Sequence, residues 1–392
     1  MCRAEPESGA MTTSSTSCES STNAASNVTG FKSRVHDLAR VLHRHGALAC
    51  FDYAACAPYV NIDMNPEPVG DEDPSIDAIF ISPHKFLGGP GSSGVLVFNE
   101  RIYDRSLPPS MSAGGTVDYV GPEDQDFISR IEEREKAGTP GVLQILKAGL
   151  AFQVKDAIGV ETIEAREHAV VERTFARWRD NPHIDILGNP DPARRIAIVS
   201  FNIRDPHGKF LHPKFVTTLL NDLFGIQSRA GCSCAGPYGH RLLAIDHDTS
   251  EKYREWIHRG FCGIKPGWCR ISLHYAMDDI EVGYILDAID FVATHGHRFL
   301  PLYNFDMQTG AWLHKSDGVE LEGFSLDAAL RCEGARARAL SEGERTHLYR
   351  AYLDEAERLA GDLADGTGLR WHRVDEALEE LKFFSVPEAS VG

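Results

Sequence analysis

The sequence predicts an α/β fold in two domains. Short apolar runs with strand character alternate with segments whose apolar residues keep helical spacing, the pattern of sheets covered by helices. A length of 392 residues, 42% of them hydrophobic, is enough to fill two separate cores. Asp52 and Lys85 fall at or just beyond the ends of consecutive strand-like runs, and the carboxyl edge of a parallel sheet is where such folds bind ligands.

The elements follow in order. The first 25 residues are rich in Ser, Thr, Glu and Ala, with Met11–Ser17 as a low-complexity centre, and are read as disordered. No basic start followed by an apolar stretch supports a secretory signal. Phe31, Val35, Leu38 and Leu42 keep helical spacing, and Leu48-Ala49-Cys50-Phe51 is a strand-like run ending in Asp52. Ala78–Ile81 and Gly94–Phe98 read as neighbouring strands, joined through Ser82-Pro83-His84-Lys85-Phe86-Leu87-Gly88-Gly89-Pro90-Gly91. Met111–Thr116 is a glycine-containing loop, and Gly138-Thr139-Pro140 opens a helix with proline in its first turn, linking the domains. Beyond it the pattern gives helix Glu161–Arg179, strand Ile196–Ile203, helix Lys214–Phe224, strand Gly267–Leu273 and helix Asp279–Thr294. After His297 comes a hairpin turning at Thr309-Gly310, with Phe305 and Trp312 on its arms, then solvated helices rich in Arg, Glu and Ala. The expected divisions are a disordered segment 1–25, a partial large domain 26–155, a small domain 156–298 and an extension 299–392.

Three groups of residues bear chemistry. Lys85 lies in a glycine-rich turn at a strand end, where partial desolvation would lower its pKa and free the amine to attack an aldehyde; an ordinary solvated lysine is the alternative. Asp52 upstream supplies a carboxylate at the same edge. A pyridoxal phosphate enzyme needs this pair, a lysine to form a Schiff base and an acid to keep the pyridine nitrogen protonated. Cys232 and Cys234 lie in a loop with glycines on either side, and Arg229 and His240 are the local groups able to favour a thiolate. One intervening residue is too few for the usual structural zinc spacing and would strain a disulfide, so no metal site is expected; two inert buried thiols remain the alternative to a nucleophile. Thr139 either caps the following helix or uses the helix start to hold a phosphate. Arg270 near a strand end is either a surface residue or a bidentate grip for a carboxylate.

On these and further residues the chain resembles the class V aminotransferase superfamily, most closely its cysteine desulfurase and selenocysteine lyase branch. The resemblance is carried by Ser26-Asn27-Val28-Thr29-Gly30, Phe51-Asp52-Tyr53-Ala54-Ala55-Cys56-Ala57-Pro58, Ser82-Pro83-His84-Lys85-Phe86-Leu87-Gly88-Gly89, Gly138-Thr139-Pro140, Arg229-Ala230-Gly231-Cys232-Ser233-Cys234-Ala235-Gly236-Pro237-Tyr238-Gly239-His240 and Arg270-Ile271-Ser272-Leu273-His274-Tyr275, in the family's order over roughly residues 26 to 300. It implies fold type I, with a mainly parallel sheet in the large domain and an α/β small domain. It implies pyridoxal 5'-phosphate held by Asp52, Ser82, His84, Lys85 and Thr139, the last reaching the cofactor phosphate of a dimer partner. It further implies Lys85 as the Schiff-base lysine and proton carrier, Cys234 as the nucleophile that takes sulfur, and Arg270 with Arg229 as the substrate-carboxylate anchor. The substrate class is then cysteine or selenocysteine, in a homodimer that passes sulfur to an acceptor. Two departures stand out. Ala55 replaces a glutamine that in many relatives hydrogen-bonds the cofactor's phenolic oxygen. In the family a long N-terminal part of the large domain, with a phosphate-binding loop and a ring-stacking residue, precedes the Ser-Asn-Val-Thr-Gly segment; nothing comparable precedes it here, so a truncated large domain is expected. Transamination or another elimination, and a fragment without turnover that serves as an interaction module, are the competing functions.

Composition narrows the partners. A formal charge of −17 opposes nonspecific binding to nucleic acid or anionic membranes. No apolar run approaches the roughly 18 residues of a membrane span, and nine scattered cysteines do not form a secreted disulfide framework; a cytoplasmic protein is expected. Gly88–Gly94 lacks the Gly-Lys-Ser/Thr ending of a phosphate loop, and Gly-x-Gly-x-x-Gly is absent, which argues against ATP or NAD.

Overall fold

Strands β1 (Glu19–Asn23), β2 (Leu48–Asp52), β3 (Ala78–Ile81) and β4 (Val95–Phe98) form the first sheet, in that order, with β1/β2 and β2/β3 parallel and β3/β4 antiparallel. The computed structural model describes residues 19–68, 70–232, 235–316, 327, 339–363 and 376–386. The chain divides into two units, one taking in the residues up to Ser26 with Lys32–Glu164, the other Asn27–Phe31 with everything from Ala165 onward. Residues Glu19–Asn23 correct the reading of 1–25 as disordered. They pair in parallel with β2 from Glu19↔Leu48 to Asn23↔Asp52, because ladder hydrogen bonds to an existing strand outweigh a composition poor in apolar residues.

Asp77, fully buried just ahead of β3, ties this sheet together. Its Oδ2 accepts from the Ala49 N–H of β2 at 2.8 Å and pairs with His43 Nε2 at 2.9 Å, while Oδ1 accepts from Arg101 at 2.7 and 3.0 Å. Burial alone would raise its pKa, but the Ala49 amide, His43 and Arg101 outweigh it and hold the carboxyl below its ordinary value. His43 belongs to α1 (Val35–Arg44), so the same carboxylate also docks that helix. Strand residues Ala49, Phe51, Ile79 and Ile81 are buried.

A small hairpin of β5 (Val117–Val120) and β6 (Gln125–Phe127) and a short helix α2 (Ile131–Arg134) lead to α3 (Val142–Ile158) and α4 (Val160–Trp178). The expected helix start at Gly138-Thr139-Pro140 is corrected: α3 begins at Val142 with Gly141 as its N-cap. Pro140 biases the residue before it toward extended backbone, so Thr139 lies outside the helix and does not cap it.

The second unit is built on an antiparallel sheet of β7 (Ile184–Ile186), β8 (Ile198–Ile203), β9 (Arg229–Gly231) and β10 (Trp268–Ser272), in the order β7-β8-β10-β9. Every residue of β8 is buried, so both faces are covered at this strand. Between the strands run α5 (Pro213–Phe224), α6 (Gly236–Leu242) and α7 (His247–His258), followed by α8 (Asp279–His295). Trp178, Phe201, Phe215, Leu219, Ile289 and Phe299 lie in one continuous core. The region after His297 is more than solvated scaffolding. The predicted hairpin forms as β11 (Tyr303–Phe305) and β12 (Trp312–His314), α9 (Glu342–Asp362) buries Ala356 and Ala360, and Phe384 and Val386 join the same core.

His212 links several of these pieces. It is the N-cap of α5, with Nδ1 accepting from the Lys214 N–H at 3.1 Å and Nε2–H donating to the Gly263 carbonyl at 3.0 Å. Phe384 and Phe305 lie 4.5 and 5.3 Å from its ring. Both nitrogens are committed to the neutral form, and burial drops the pKa to about 3.

Two outcomes follow for stability. Asp77→Ala strands the buried Ala49 N–H and removes the partner of His43 and Arg101, with an expected cost of about 3 kcal/mol in urea unfolding. For His212 the folded pKa lies below the unfolded value near 6.5, so its contribution is complete above that value and declines as pH falls. Between pH 7 and pH 5 it withdraws about 2 kcal/mol. A His212→Phe chain should show a correspondingly flatter dependence of unfolding free energy on pH, and equal slopes for the two chains would refute the assignment.

Candidate active site

Asp52 and Lys85 come to the same edge of the first sheet. Asp52 is the last residue of β2 and pairs in register with Phe80 of the parallel strand β3; the chain leaves β3 one residue later and Lys85 follows in a single 3-10 turn, Pro83–Lys85. Carboxylate and amine therefore both stand beyond the carboxyl ends of adjacent parallel strands, the ligand edge of such sheets. The turn is tight for a sequence reason. A Cβ on Gly89 would lie 1.9 Å from the Pro83 carbonyl oxygen, and Gly88 has φ of +76°, so glycine is required at the first position and favoured at the second. Phe86 anchors the turn by burying against Phe152 of α3, ring centroids 4.8 Å apart. Within this turn Ser82 is half-buried and His84 exposed. Lys85 is exposed as well, so the turn presents the amine but does not by itself desolvate it.

Asp52 is partly buried, and its Oδ1 accepts from the Ala54 N–H at 2.7 Å. Among the described residues its Oδ2 accepts no hydrogen bond. An exposed amine and a carboxylate with an open oxygen, both at one sheet edge, fit the reactive ends of pyridoxal phosphate, an aldehyde and a protonatable ring nitrogen.

Sequence reasoning missed Lys155, which supports this edge from behind. This residue of α3 is 7% exposed and its Nζ donates to the carbonyls of Ala57 and Val60 at 2.7 and 2.6 Å, holding the turn that follows Asp52. Burial lowers its pKa. Only its separation of nearly a hundred residues from Ala57 hid it. Cys56 lies in the same turn; burial, with the Asp52 charge adding, pushes its thiol up to about 12, which makes it a packed neutral thiol. Thr139 is exposed ahead of α3.

The remaining candidates lie in the second unit. Arg270 of β10 is the register partner of Arg229 on β9. Residues directly opposed on antiparallel strands project from one face with Cβ atoms about 5 Å apart, and like charges there repel. Such a pair is well suited to an anion, whose charge relieves the repulsion. Arg270 is further positioned by the segment Asn27–Phe31: its Nη1 donates to the Asn27 carbonyl at 2.7 Å, and Ser200, on the neighbouring strand, donates to the Val28 carbonyl at 2.6 Å. Gly30 makes this approach possible, since a Cβ there would sit 2.6 Å from the Ile196 carbonyl oxygen. The carbonyl of Asn27 is thus a positioning group that the sequence pattern did not single out.

Cys232 is exposed after β9, whereas Ser233 and the expected nucleophile Cys234 lie outside the described residues. His240 was a candidate to activate the thiol, but its ring is engaged elsewhere, with the Gly236 carbonyl at 2.7 Å and the Ser250 hydroxyl at 2.9 Å.

Comparison with known proteins places the chain in a family. The family model described as aminotransferase class-V matches residues 15–285. A probable cysteine desulfurase of Halalkalibacterium halodurans is 31% identical over 212 residues, 54% of this chain and 48% of that protein. One from Streptomyces coelicolor is 30% identical over 212 residues, 54% of this chain and 47% of its own length. Among solved structures, a cysteine desulfurase from Thermococcus onnurineus NA1 superposes with a TM-score of 0.57 at 25% identity, covering 70% of this chain and 60% of that one. The chain spans about half the length of the curated relatives it matches. The predicted type I fold stands on these matches and on the mainly parallel first sheet. With a family model spanning both the lysine turn and the two-arginine strand pair, the chain belongs to the class V aminotransferases, a pyridoxal phosphate-dependent family.

Proposed function

We propose that the chain performs cysteine desulfurase-type chemistry with pyridoxal phosphate, acting on cysteine or selenocysteine. The observation that carries the reading is the shared sheet edge of Asp52 and Lys85 in a chain whose relatives are named cysteine desulfurases. When bound, the cofactor supplies an electron sink for the substrate Cα. The rest belongs to the chain's own side chains. Asp52 would keep the ring nitrogen protonated, Ser82, His84 and Thr139 would hold the phosphate, and Lys85 would be the covalent attachment point. Arg270 and Arg229 hold the substrate carboxylate and so fix the direction of its Cα–H bond. The Lys85 Nζ, once freed by substrate, takes the proton from that carbon. Cys234 attacks as thiolate, forming a bond to the cysteine sulfur as the carbon–sulfur bond breaks and leaves its electron pair on carbon; the substrate's thiol proton and the proton held by Lys85 end on Cβ and Cα, and the products are alanine and a protein persulfide.

A homodimer is part of the same proposal. Its support is the apolar stripe of α3, where Leu143, Leu146 and Leu150 are 75%, 58% and 52% exposed, more apolar surface than a solvent-facing helix ordinarily carries.

Peptide mass spectrometry tests the reading in two stages. After incubation with pyridoxal phosphate and borohydride, the reduced cofactor is expected on the peptide containing Lys85 and is lost in Lys85→Ala. With cysteine added instead of borohydride, one sulfur is expected on the loop peptide and is lost in Cys234→Ser, while that variant still gives the Lys85 adduct. An adduct on another lysine, or sulfur retained after Cys234→Ser, contradicts the assignment. Transamination that persists in Cys234→Ser without sulfur transfer favours the competing activity.

A further inference from the structure

An apolar pocket of about 280 Å³ lies wholly within the second unit, lined by residues of α6, α7 and the start of β10. Leu243, Ile245, Tyr253, Ile257 and Trp268 supply most of its wall. Its volume is close to the lower limit of small-molecule sites, which start at about 300 Å³ and are mostly apolar with a few polar groups. Specific contacts hold the wall in place. The Nδ1–H of His240 in α6 donates to the Gly236 carbonyl at 2.7 Å, and Nε2 meets the Ser250 hydroxyl of α7 at 2.9 Å. The Tyr253 hydroxyl donates to the Leu381 carbonyl at 3.0 Å. Gly239 lets the indole of Trp268 close in, since a Cβ there would meet that ring at 3.0 Å.

One polar group of this wall is left over. Trp268 is fully buried, and its indole N–H finds no acceptor among the described residues. Native structures seldom leave a buried donor unpaired, and an acceptor brought by a ligand would relieve the cost. The charge of the lining is opposite to that of the chain. Arg254 and Lys265 line the pocket, and no described lining residue is acidic, although the chain carries a formal charge of −17. Glu251 shares Arg254 at 3.3 Å, whereas among the described residues no ion pair engages the exposed Lys265. The indole N–H calls for an oxygen acceptor and Lys265 for a negative charge, and a carboxylate offers both in one group. The apolar wall calls for an apolar body, and it disfavours a doubly charged head group, whose desolvation so few polar partners could not offset.

We infer that this pocket is a binding site for a small monocarboxylate with an apolar body about the size of one ring. The carboxylate accepts from the Trp268 N–H and draws on the charge of Lys265, while Leu243, Ile245 and Ile257 enclose the apolar part. None of Asp52, Lys85, Thr139, Arg229 and Arg270 lines the pocket. Binding there requires neither a cofactor nor sulfur transfer, so the inference stands apart from the desulfurase reading.

The test titrates the full chain, with no cofactor added, with 4-isopropylbenzoate and with the neutral 4-isopropylbenzamide of the same shape. Calorimetry gives the Kd of each, and the indole N–H resonance that disappears in Trp268→Phe reports where they bind. A preference of about tenfold or more for the carboxylate is expected, with a saturable downfield shift of that resonance. The preference should fall toward unity in Lys265→Glu. Ile257→Trp, which fills the pocket, should abolish binding of both probes. Lys265 is exposed, so its variant remains readable where Ile257→Trp fails to fold. Equal affinities for the two probes, a preference unchanged in Lys265→Glu, an unmoved Trp268 resonance, or full binding by a folded Ile257→Trp chain overturns the inference.

Discussion

The arrangement of the first unit depends on one buried carboxylate. Asp77 reaches across from the start of β3 to the Ala49 amide of β2 and draws His43 and Arg101 to the same point. That contact holds the start of β3 against β2. Since parallel strands advance together, a fixed start fixes which residues emerge at the far end. Asp52 and Lys85 meet at one edge because the strands behind them are locked in register at the other. The glycines at 88 and 89 and the buried Phe86 then set the direction in which the chain carries the lysine.

Positive charge is used locally against a negative background. Arg229 and Arg270 are opposed in register on β9 and β10, an arrangement that repels itself until an anion arrives. The carbonyl of Asn27, brought in by the close approach of Gly30 to Ile196, takes one arm of Arg270 and limits its rotation. In a chain of this net charge, a local positive pair of this kind suits a small anion.

Much of this was legible in the sequence, for physical reasons that can be traced. The strands ending at Asp52 and Ile81, and the helices beginning near Val160, Pro213 and Asp279, carry strong apolar periodicity and sit within a residue or two of where the pattern put them. The hairpin around Thr309-Gly310 followed from turn chemistry. β1 was missed because Glu-Ser-Ser-Thr-Asn has almost no apolar content and becomes a strand only through its ladder to β2. The start of α3 was misplaced because proline and threonine resemble a helix opening, while the cap is Gly141. Among the candidates, residue type and order singled out Asp52 and Lys85, which the first sheet carries to one edge, and Arg270, which stands opposite Arg229 in the second unit. Contacts distant in sequence did not show: Lys155 beneath the turn after Asp52, Asn27 on Arg270, and His240 turned toward Ser250.

The central claim is that one sheet edge presents an amine and a carboxylate to opposite ends of the same cofactor. A crystal structure of the chain grown with pyridoxal phosphate tests it most directly. The account predicts continuous density from Lys85 Nζ to the cofactor, with the ring nitrogen within hydrogen-bond distance of Asp52. A cofactor attached elsewhere, or a ring nitrogen that faces no carboxylate, would contradict it.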